Sequence, residues 1–498
     1  LSYHQRNSSA EVAKKEQIFR PQAQAERIKD ALARAKEVEK QPQKQAEEQP
    51  ELIRETPVYE TKPVTEEKAE QLNLFEEHLL KREKKAEYKL IGQVFETYWL
   101  VEFENSLYII DQHAAHERVL YERTLKEMKN REVINSYIDK WIEDYNNRQR
   151  PVWNYEDGCV MLGAQYLYEA TGDEKYINCI RTFMDRYIQE DGTIRYYVPE
   201  DYNLDKVNNG RVLYFLYDQT GEEKYKIALS HIREQLETHP RTDCGSFWHK
   251  QIYPYQIWLD GLYMGQPLYL EYEKRFNGGE RYNDITGQFL NARKYLFDEE
   301  KKLYYHAYDE KRQMIWADKT TGCSHNFWLR SIGWYLMALI DCCGLIPEES
   351  FEHLSTYKRL FKEALAGIMQ YQDEKTKLFY QLVDMPELEG NYLETSGSAM
   401  IAYAILKGCR LGILQEEKWR RRGEEIFDGL EREKLQKDED GWHLTGICLV
   451  AGLGPKDERD GSVEYYLSEP VVSDEEKGVG VFMMAYGEYL KLEKQDEA

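Results

Sequence analysis

The feature that most constrains this chain is a repeat. Leu167-Tyr168-Glu169-Ala170-Thr171-Gly172-Asp173-Glu174-Lys175-Tyr176 returns as Leu216-Tyr217-Asp218-Gln219-Thr220-Gly221-Glu222-Glu223-Lys224-Tyr225, 49 positions later (225 − 176). In both copies Thr-Gly ends a helix, because glycine adopts the left-handed conformation just past a helix C-terminus at little cost. The acidic residues that follow fall in the first turn of the next helix, where the helix dipole favours negative charge. The unit is therefore helix, tight turn, helix, with a period near 50. Six segments begin such units, at Trp153, Leu204, Trp258, Trp328, Glu394 and Gly478. Each opens in a loop rich in Asp, Asn, Trp, Gly or Ser and continues as an apolar helix, as in residues 333–340 and 397–406. More polar helices, such as residues 418–435, belong outside. Six helices inside and six outside predict a closed all-α (α/α)6 barrel rather than an open solenoid. The loops entering the inner helices then gather at one end, and their unusual residues converge on one cleft.

The period starts only at about residue 134, which sets the domain organisation. Residues 1–84 are rich in Glu, Gln and Lys and contain no Gly or Trp. They read as a solvated linker, disordered with some helical tendency. Residues 85–132 change character. Two apolar runs, Tyr88 to Phe95 and Tyr98 to Phe103, read as paired strands that continue through Leu107 to Ile110 and then turn into a helix. The expectation is a small β-hairpin-plus-helix fragment, followed by the barrel over 134–498.

The formal charge of −23 (67 − 90) argues against a nucleic-acid partner. It also means that an anionic substrate needs local cations in its site. No window approaches the apolar length of a membrane span, and the start lacks the apolar core of a signal peptide. None of the eight cysteines forms a C-x-x-C pair, which fits reduced thiols and a cytoplasmic protein better than a disulfide scaffold or zinc site. Aromatic residues reach 13%, with 39 Tyr. Packing between helices and a carbohydrate-lined cleft both account for that excess.

The densest chemistry lies between Gly245 and Gly265, with Asp260 at its centre, flanked by Trp258, Leu259, Leu262, Tyr263 and Met264. A carboxylate in apolar surroundings loses hydration and tends to hold its proton, as a general acid must. The alternative is an N-cap aspartate with core aromatics behind it. Asp205 opens the preceding inner segment and carries the same two readings. Together the two carboxylates could face each other across a sugar, one protonated and one charged. His249 and Lys250 supply positive charge or form a solvated loop pair. His306 sits among aromatics at a strand or turn, where a histidine is usually a hydrogen-bonded structural group. Arg330, between Trp328 and Trp334, either grips a carboxylate or packs on indole faces. Tyr155 lines the first inner-helix entrance.

From about Ile134 to the end the chain resembles glycoside hydrolase family 105, the unsaturated rhamnogalacturonyl hydrolases. The matching pieces are W-N-Y-E-D-G at Trp153, L-D-K-V-N-N-G at Leu204, F-W-H-K-Q-I-Y-P-Y-Q-I-W-L-D-G-L-Y-M-G at Phe247, L-Y-Y-H-A-Y-D at Leu303, T-G-C-S-H-N-F-W-L-R-S-I-G-W-Y at Thr321, N-Y-L-E-T-S-G-S at Asn391 and K-G-V-G-V-F at Lys477. The resemblance implies the (α/α)6 barrel, Asp260 as general acid/base and Asp205 as the second essential carboxylate. It puts Tyr155, His249, Lys250, His306, Trp328, Arg330 and Trp334 on substrate-lining positions, with no metal or organic cofactor. The implied substrate is an unsaturated oligosaccharide, a galacturonyl-rhamnose left by a pectin lyase and hydrolysed by hydration of its C4=C5 enol ether. The competing enzyme is an unsaturated glucuronyl hydrolase of family 88, with the same barrel and chemistry. A sugar-binding toroid without activity is the bland alternative.

The N-terminal part resembles something else. Asp111-Gln112-His113-Ala114 with Glu117 and Glu122 is similar to the D-Q-H-A-x-x-E-x-x-x-x-E signature at the start of the C-terminal domain of the mismatch-repair protein MutL. That resemblance implies metal-dependent nicking, with Asp111, His113 and Glu117 as vestigial metal candidates. The rest of that domain does not follow, and a hairpin with one helix buries too little surface to stand alone. A truncated piece without nuclease activity is expected. Gln71-Leu72-Asn73-Leu74-Phe75 is similar to peptides that dock into bacterial sliding clamps, with Leu74 and Phe75 as anchors; over five residues a chance amphipathic turn is the favoured reading.

Overall fold

The computed structural model describes residues 89–95, 97–103, 106–148, 151–415, 417–454 and 459–497. The expected linker and the Gln71–Phe75 peptide lie outside them. Two compact units divide these residues, one holding 89–91 with the described part of 101–108, the other holding 92–100 and everything from Ile109 on.

Three strands, β1 (Lys89–Val94), β2 (Tyr98–Phe103) and β3 (Ser106–Asp111), form one sheet in the order β1-β2-β3. The expected hairpin is thus a three-stranded sheet. Leu90, Ile91, Phe95, Leu107 and Ile109 are exposed on it. Asp111 then opens α1 (Gln112–Asn146), accepting hydrogen bonds from the His113 and Ala114 amides at 2.8 and 3.3 Å. Asp111, one of the vestigial metal candidates, is thus a helix N-cap. Among the described residues no cluster of three His, Cys, Asp or Glu side chains is arranged to hold a metal ion.

No break separates the two resemblances, because α1 runs unbroken across residues 131–135. Its C-terminal part buries Ile134, Tyr137, Ile138, Trp141, Ile142 and Tyr145, the 3-and-4 spacing of one helix face. That part is an outer helix of the barrel. The chain continues with α2 (Tyr155–Thr171) inside and α3 (Glu174–Met184) outside. Next come α4 (Leu204–Asn208) and, after a 3₁₀ turn, α5 (Val212–Thr220), which together make the second inner helix, with α6 (Glu223–Thr238) outside. Three more pairs follow, α7 (Leu259–Phe276) with α8 (Tyr282–Leu296), α9 (Leu329–Leu345) with α10 (Phe351–Ile368), and α11 (Thr395–Arg410) with α12 (Glu417–Lys434). A short helix, α13 (Val463–Ser468), precedes the last inner helix, α14 (Glu476–Glu497).

The predicted turns are present. Gly172 and Gly221 end α2 and α5 in the left-handed region, at φ 74° and 69°. The layers separate by composition. Every residue of α9 from Leu329 to Cys343 is buried. The outer α12 buries only Gly423, Ile426, Phe427, Gly429 and Leu430, one stripe of an amphipathic helix.

Closure falls to α2 and α14, which are first and last in the ring and pack side by side. Glycines let their backbones meet. A Cβ on Gly480 would stand 2.4 Å from the Cys159 carbonyl carbon, and one on Gly163 would stand 2.8 Å from the Gly480 carbonyl oxygen. The outer partner of α14 is α1, from the other end of the sequence. Tyr137 donates to Asp474 at 2.7 Å just before α14, its ring meets Phe482 edge-on at 6.5 Å, and Arg131 pairs with Glu493.

Gly480→Ala should destabilise the barrel by about 1–3 kcal/mol, since the added methyl has nowhere to go. Gly287→Ala in α8, where a Cβ meets nothing within 4 Å, should stabilise it by about 0.5–1 kcal/mol. Urea midpoints of the two variants and wild type check this pair; an unshifted midpoint for Gly480→Ala would rule out the close seam.

Candidate active site

The inner helices present their N-terminal turns at one end of the ring, and short backbone pairings aim the residues there. A two-stranded antiparallel ribbon, β4 (Gln256–Trp258) with β5 (Ala307–Asp309), pairs Trp258 with Ala307. The Leu259 amide donates to the His306 carbonyl at 3.1 Å. Asp260 and His306 are therefore neighbours by construction. Asp205 is placed similarly: Asn203 bridges to Lys250, and the Leu204 amide donates to the His249 carbonyl at 3.2 Å.

Neither carboxylate is a helix cap. The cap of α7 is Trp258, and the cap of α4 is Asn203, whose side chain accepts from the Asp205 amide at 3.0 Å. Asp205 and Asp260 are each the second residue of their helix, within the first turn and past the cap, which overturns the N-cap alternative for both. Asp260 Oδ2 lies 3.4 Å from His306 Nε2, and neither atom makes a hydrogen bond. His306 Nδ1 is 2.8 Å from the Tyr466 hydroxyl. Asp205 forms the second pair: Oδ2 holds the Lys250 ammonium, and Oδ1 lies 3.4 Å from His249 Nε2. Burial works against the Lys250 charge, but Asp205 outweighs it and leaves the pKa raised. Burial, helped by the Lys250 charge, holds His249 far below the ordinary histidine range, so it is neutral.

Trp258 joins the two pairs. Its ring stacks on His249 at 4.7 Å and on Tyr253 at 4.9 Å, and meets His306 edge-on at 5.2 Å. The remaining sequence candidates form the wall. Tyr155 turns its edge to Trp334 at 6.1 Å, and Trp334 stacks on Tyr263 at 4.7 Å. Trp328 lies 4.6 Å from His306, with the Arg330 guanidinium 4.8 Å from its own ring centre. Arg330, Trp328 and Trp334 are each only 1% exposed. Arg330 Nη1 donates to the Cys448 carbonyl and, at 3.3 Å, to Ser396 Oγ. The guanidinium is thus occupied within the wall, on an indole face, and the two tryptophans back the lining from behind. Their aromatic neighbours were legible in sequence; their depth was not.

Three contributors went unread. Tyr466, on α13, touches His306. Glu394 caps α11, accepting from the Ser396 and Gly397 amides at 3.1 and 2.7 Å and from the Cys448 amide at 3.1 Å. It thereby fixes the strand that Arg330 grips. Glu156, beside Tyr155, is half-buried, and desolvation raises its pKa against the pull of Lys477. Only Glu394 carried a signal, its place at the start of an inner segment.

A cavity of about 370 Å³ lies among the C-terminal halves of the inner helices, away from these residues. There Asp341 accepts from Arg211, Lys407 and Tyr403 at 2.7, 2.7 and 2.6 Å.

Two carboxylates, each beside a histidine and under aromatic cover, thus lie at one end of an (α/α)6 toroid. Residues 125–493 match the model described as Glycosyl Hydrolase Family 88, and the chain belongs to that family. A glycoside hydrolase of family 105 from C. acetobutylicum ATCC 824 is 44% identical, with a TM-score of 0.69 over 72% of this chain and 99% of that one. The unsaturated rhamnogalacturonyl hydrolase YesR of Bacillus subtilis is 28% identical over 286 residues, 56% of this chain and 77% of that protein. Residues 91–135 match the MutL C-terminal dimerisation domain. The mismatch-repair protein MutL of Agathobacter rectalis is 56% identical over 54 residues, which are 11% of this chain and 8% of that protein. The two family matches overlap inside α1. Among the described residues no helix is long and apolar enough to cross a membrane.

The loop ahead of Asp260 is anchored by a second buried histidine. His239 Nε2 is 2.8 Å from the Trp248 carbonyl, its ring lies 5.0 Å from Phe247, and burial lowers its pKa to about 4. The unfolded value is about 6.5. A depressed histidine contributes stability that is complete above the unfolded pKa and is lost as pH falls toward 4, because the unfolded state then binds more protons. His239→Gln should therefore flatten the fall in unfolding free energy between pH 6.5 and 4 relative to wild type, by up to about 1.4 kcal/mol per pH unit. Parallel urea titrations across that range measure it, and identical slopes would refute it.

Proposed function

We propose that the enzyme hydrolyses unsaturated galacturonyl-rhamnose by hydrating its C4=C5 bond, with Asp260 as general acid and then base. The single observation that carries this is the placement of Asp260, buried on the first inner turn of α7 and facing His306. Such a site suits proton delivery to carbon. Asp260 gives its proton to C4, and positive charge develops over C5 and the ring oxygen. The carboxylate left behind takes a proton from water as that water attacks C5. The hemiketal opens to a ketone at C5, and the hemiacetal at C1 releases rhamnose. Water is consumed and Asp260 ends as it began. Asp205, held by Lys250 and beside neutral His249, is the second carboxylate; Lys250 also supplies the local cation that an acidic protein needs for a uronate. Tyr155 lines the entrance, and Trp328, Arg330 and Trp334 fix the wall.

The 28% identity to an unsaturated rhamnogalacturonyl hydrolase supports the rhamnose aglycone. Eight free thiols support a cytoplasmic setting. The second reading is the unsaturated glucuronyl hydrolase of family 88 that the sequence resemblance also allows, in keeping with the match to that family. Assaying both unsaturated disaccharides separates the two by which is turned over faster.

Asp260→Asn should fold and lose about 10²–10⁴-fold in kcat, measured as the fall in ultraviolet absorbance when the conjugated double bond disappears. A near wild-type rate would end the assignment.

A further inference from the structure

The atoms behind Asp260 are arranged for more than packing. Asp260 Oδ2 and His306 Nε2 face each other at 3.4 Å without hydrogen-bond partners. The opposite ring nitrogen, Nδ1, meets the Tyr466 hydroxyl at 2.8 Å, from a residue 160 positions further along the chain. His306 and Tyr466 are both fully buried. Trp328 and Trp258 flank the imidazole, at 4.6 and 5.2 Å between ring centres, and hold its plane.

Satisfying both polar groups selects one proton arrangement. Were Nδ1 protonated, the Tyr466 hydroxyl would accept that proton's hydrogen bond and its own proton would be left in a sealed space. With the proton of the acid on Oδ1, the bare lone pair of Nε2 would then face the carbonyl oxygen Oδ2 of Asp260. With the hydroxyl as donor to Nδ1, its proton is placed and Nε2 carries the N–H toward Asp260. Burial above all, then Tyr465 and Asp260, push the Tyr466 pKa far up, so the hydroxyl keeps the proton it donates. Cys448 and Asp460 are the further titratable groups acting on it.

We propose that Tyr466 is a positioning residue that fixes His306 in the Nε2–H form, so that this N–H is ready for the Asp260 carboxylate as it forms. The step rests on the reading of Asp260 as the acid. When Asp260 gives its proton to the substrate, negative charge appears on a buried oxygen. The Nε2–H then closes from 3.4 Å to a charge-assisted hydrogen bond, stabilising that charge only as the reaction proceeds. Catalytic hydrogen bonds are often long in the empty enzyme and tighten in the complex.

The test uses the full chain labelled with ¹⁵N-histidine. The His306 signals, assigned by their loss in His306→Gln, should show a protonated Nε2 and a hydrogen-bonded bare Nδ1. Tyr466→Phe should shift them toward a mixture of tautomers and lower kcat about 10-fold while KM moves less than about 2-fold. A wild-type Nδ1–H pattern, or a Tyr466→Phe enzyme with unchanged tautomer and kcat, would overturn the proposal. Failure of wild type to turn over the unsaturated disaccharide would instead withdraw the functional reading, and the tautomer measurement would still decide the role of Tyr466.

Discussion

The structure depends on the meeting of its first and last inner helices. α2 and α14 approach until backbone touches backbone, through Gly163 and Gly480. Without that seam six helical hairpins would remain an open array, and the N-terminal turns of the inner helices would not share a cleft. Closure is what brings residues as far apart in sequence as Asp205, Arg330 and Glu475 within electrostatic reach of the Tyr155 hydroxyl. The largely buried inner helices, α9 most completely, supply the hydrophobic stabilisation that keeps the ring shut.

Most of the barrel was legible because its signals are local. Thr-Gly stops, acidic first turns and apolar runs each report on a few consecutive residues, and they gave all six inner helices within two or three positions of their observed starts. The sixth outer helix was not legible. It lies inside α1, on the barrel side of the boundary at about residue 134, and only its burial pattern from Ile134 to Tyr145 marks it as a helix of the ring rather than a continuation of the preceding piece. The junction between the MutL-like piece and the barrel is hidden in a helix because both sides continue the same helical period. A graft of that kind breaks no hydrogen bond.

The site divides in the same way. Asp205, Asp260, His249, Lys250 and His306 stand in local sequence that names them, and backbone pairings bring them together. Tyr466 and Glu394 contribute through contacts 160 and 54 positions away, which no local pattern reports. Arg330 shows the opposite case. A guanidinium between two indoles leaves a carboxylate grip and packing on an indole face both open, and the fold turns it inward onto Trp328 and the Cys448 carbonyl. Sequence gives a residue type and its neighbours; depth depends on the helix phase within the whole ring.

Proton delivery to carbon is the step from which every proposed role follows, and isotopes follow it directly. Turnover of unsaturated galacturonyl-rhamnose in deuterated water should place one deuterium on C4 of the released keto-uronate, with loss of the double bond. A product that keeps its double bond and hydrogen at C4, and carries solvent oxygen at C1 instead, would show displacement at the anomeric carbon and contradict the role given to Asp260.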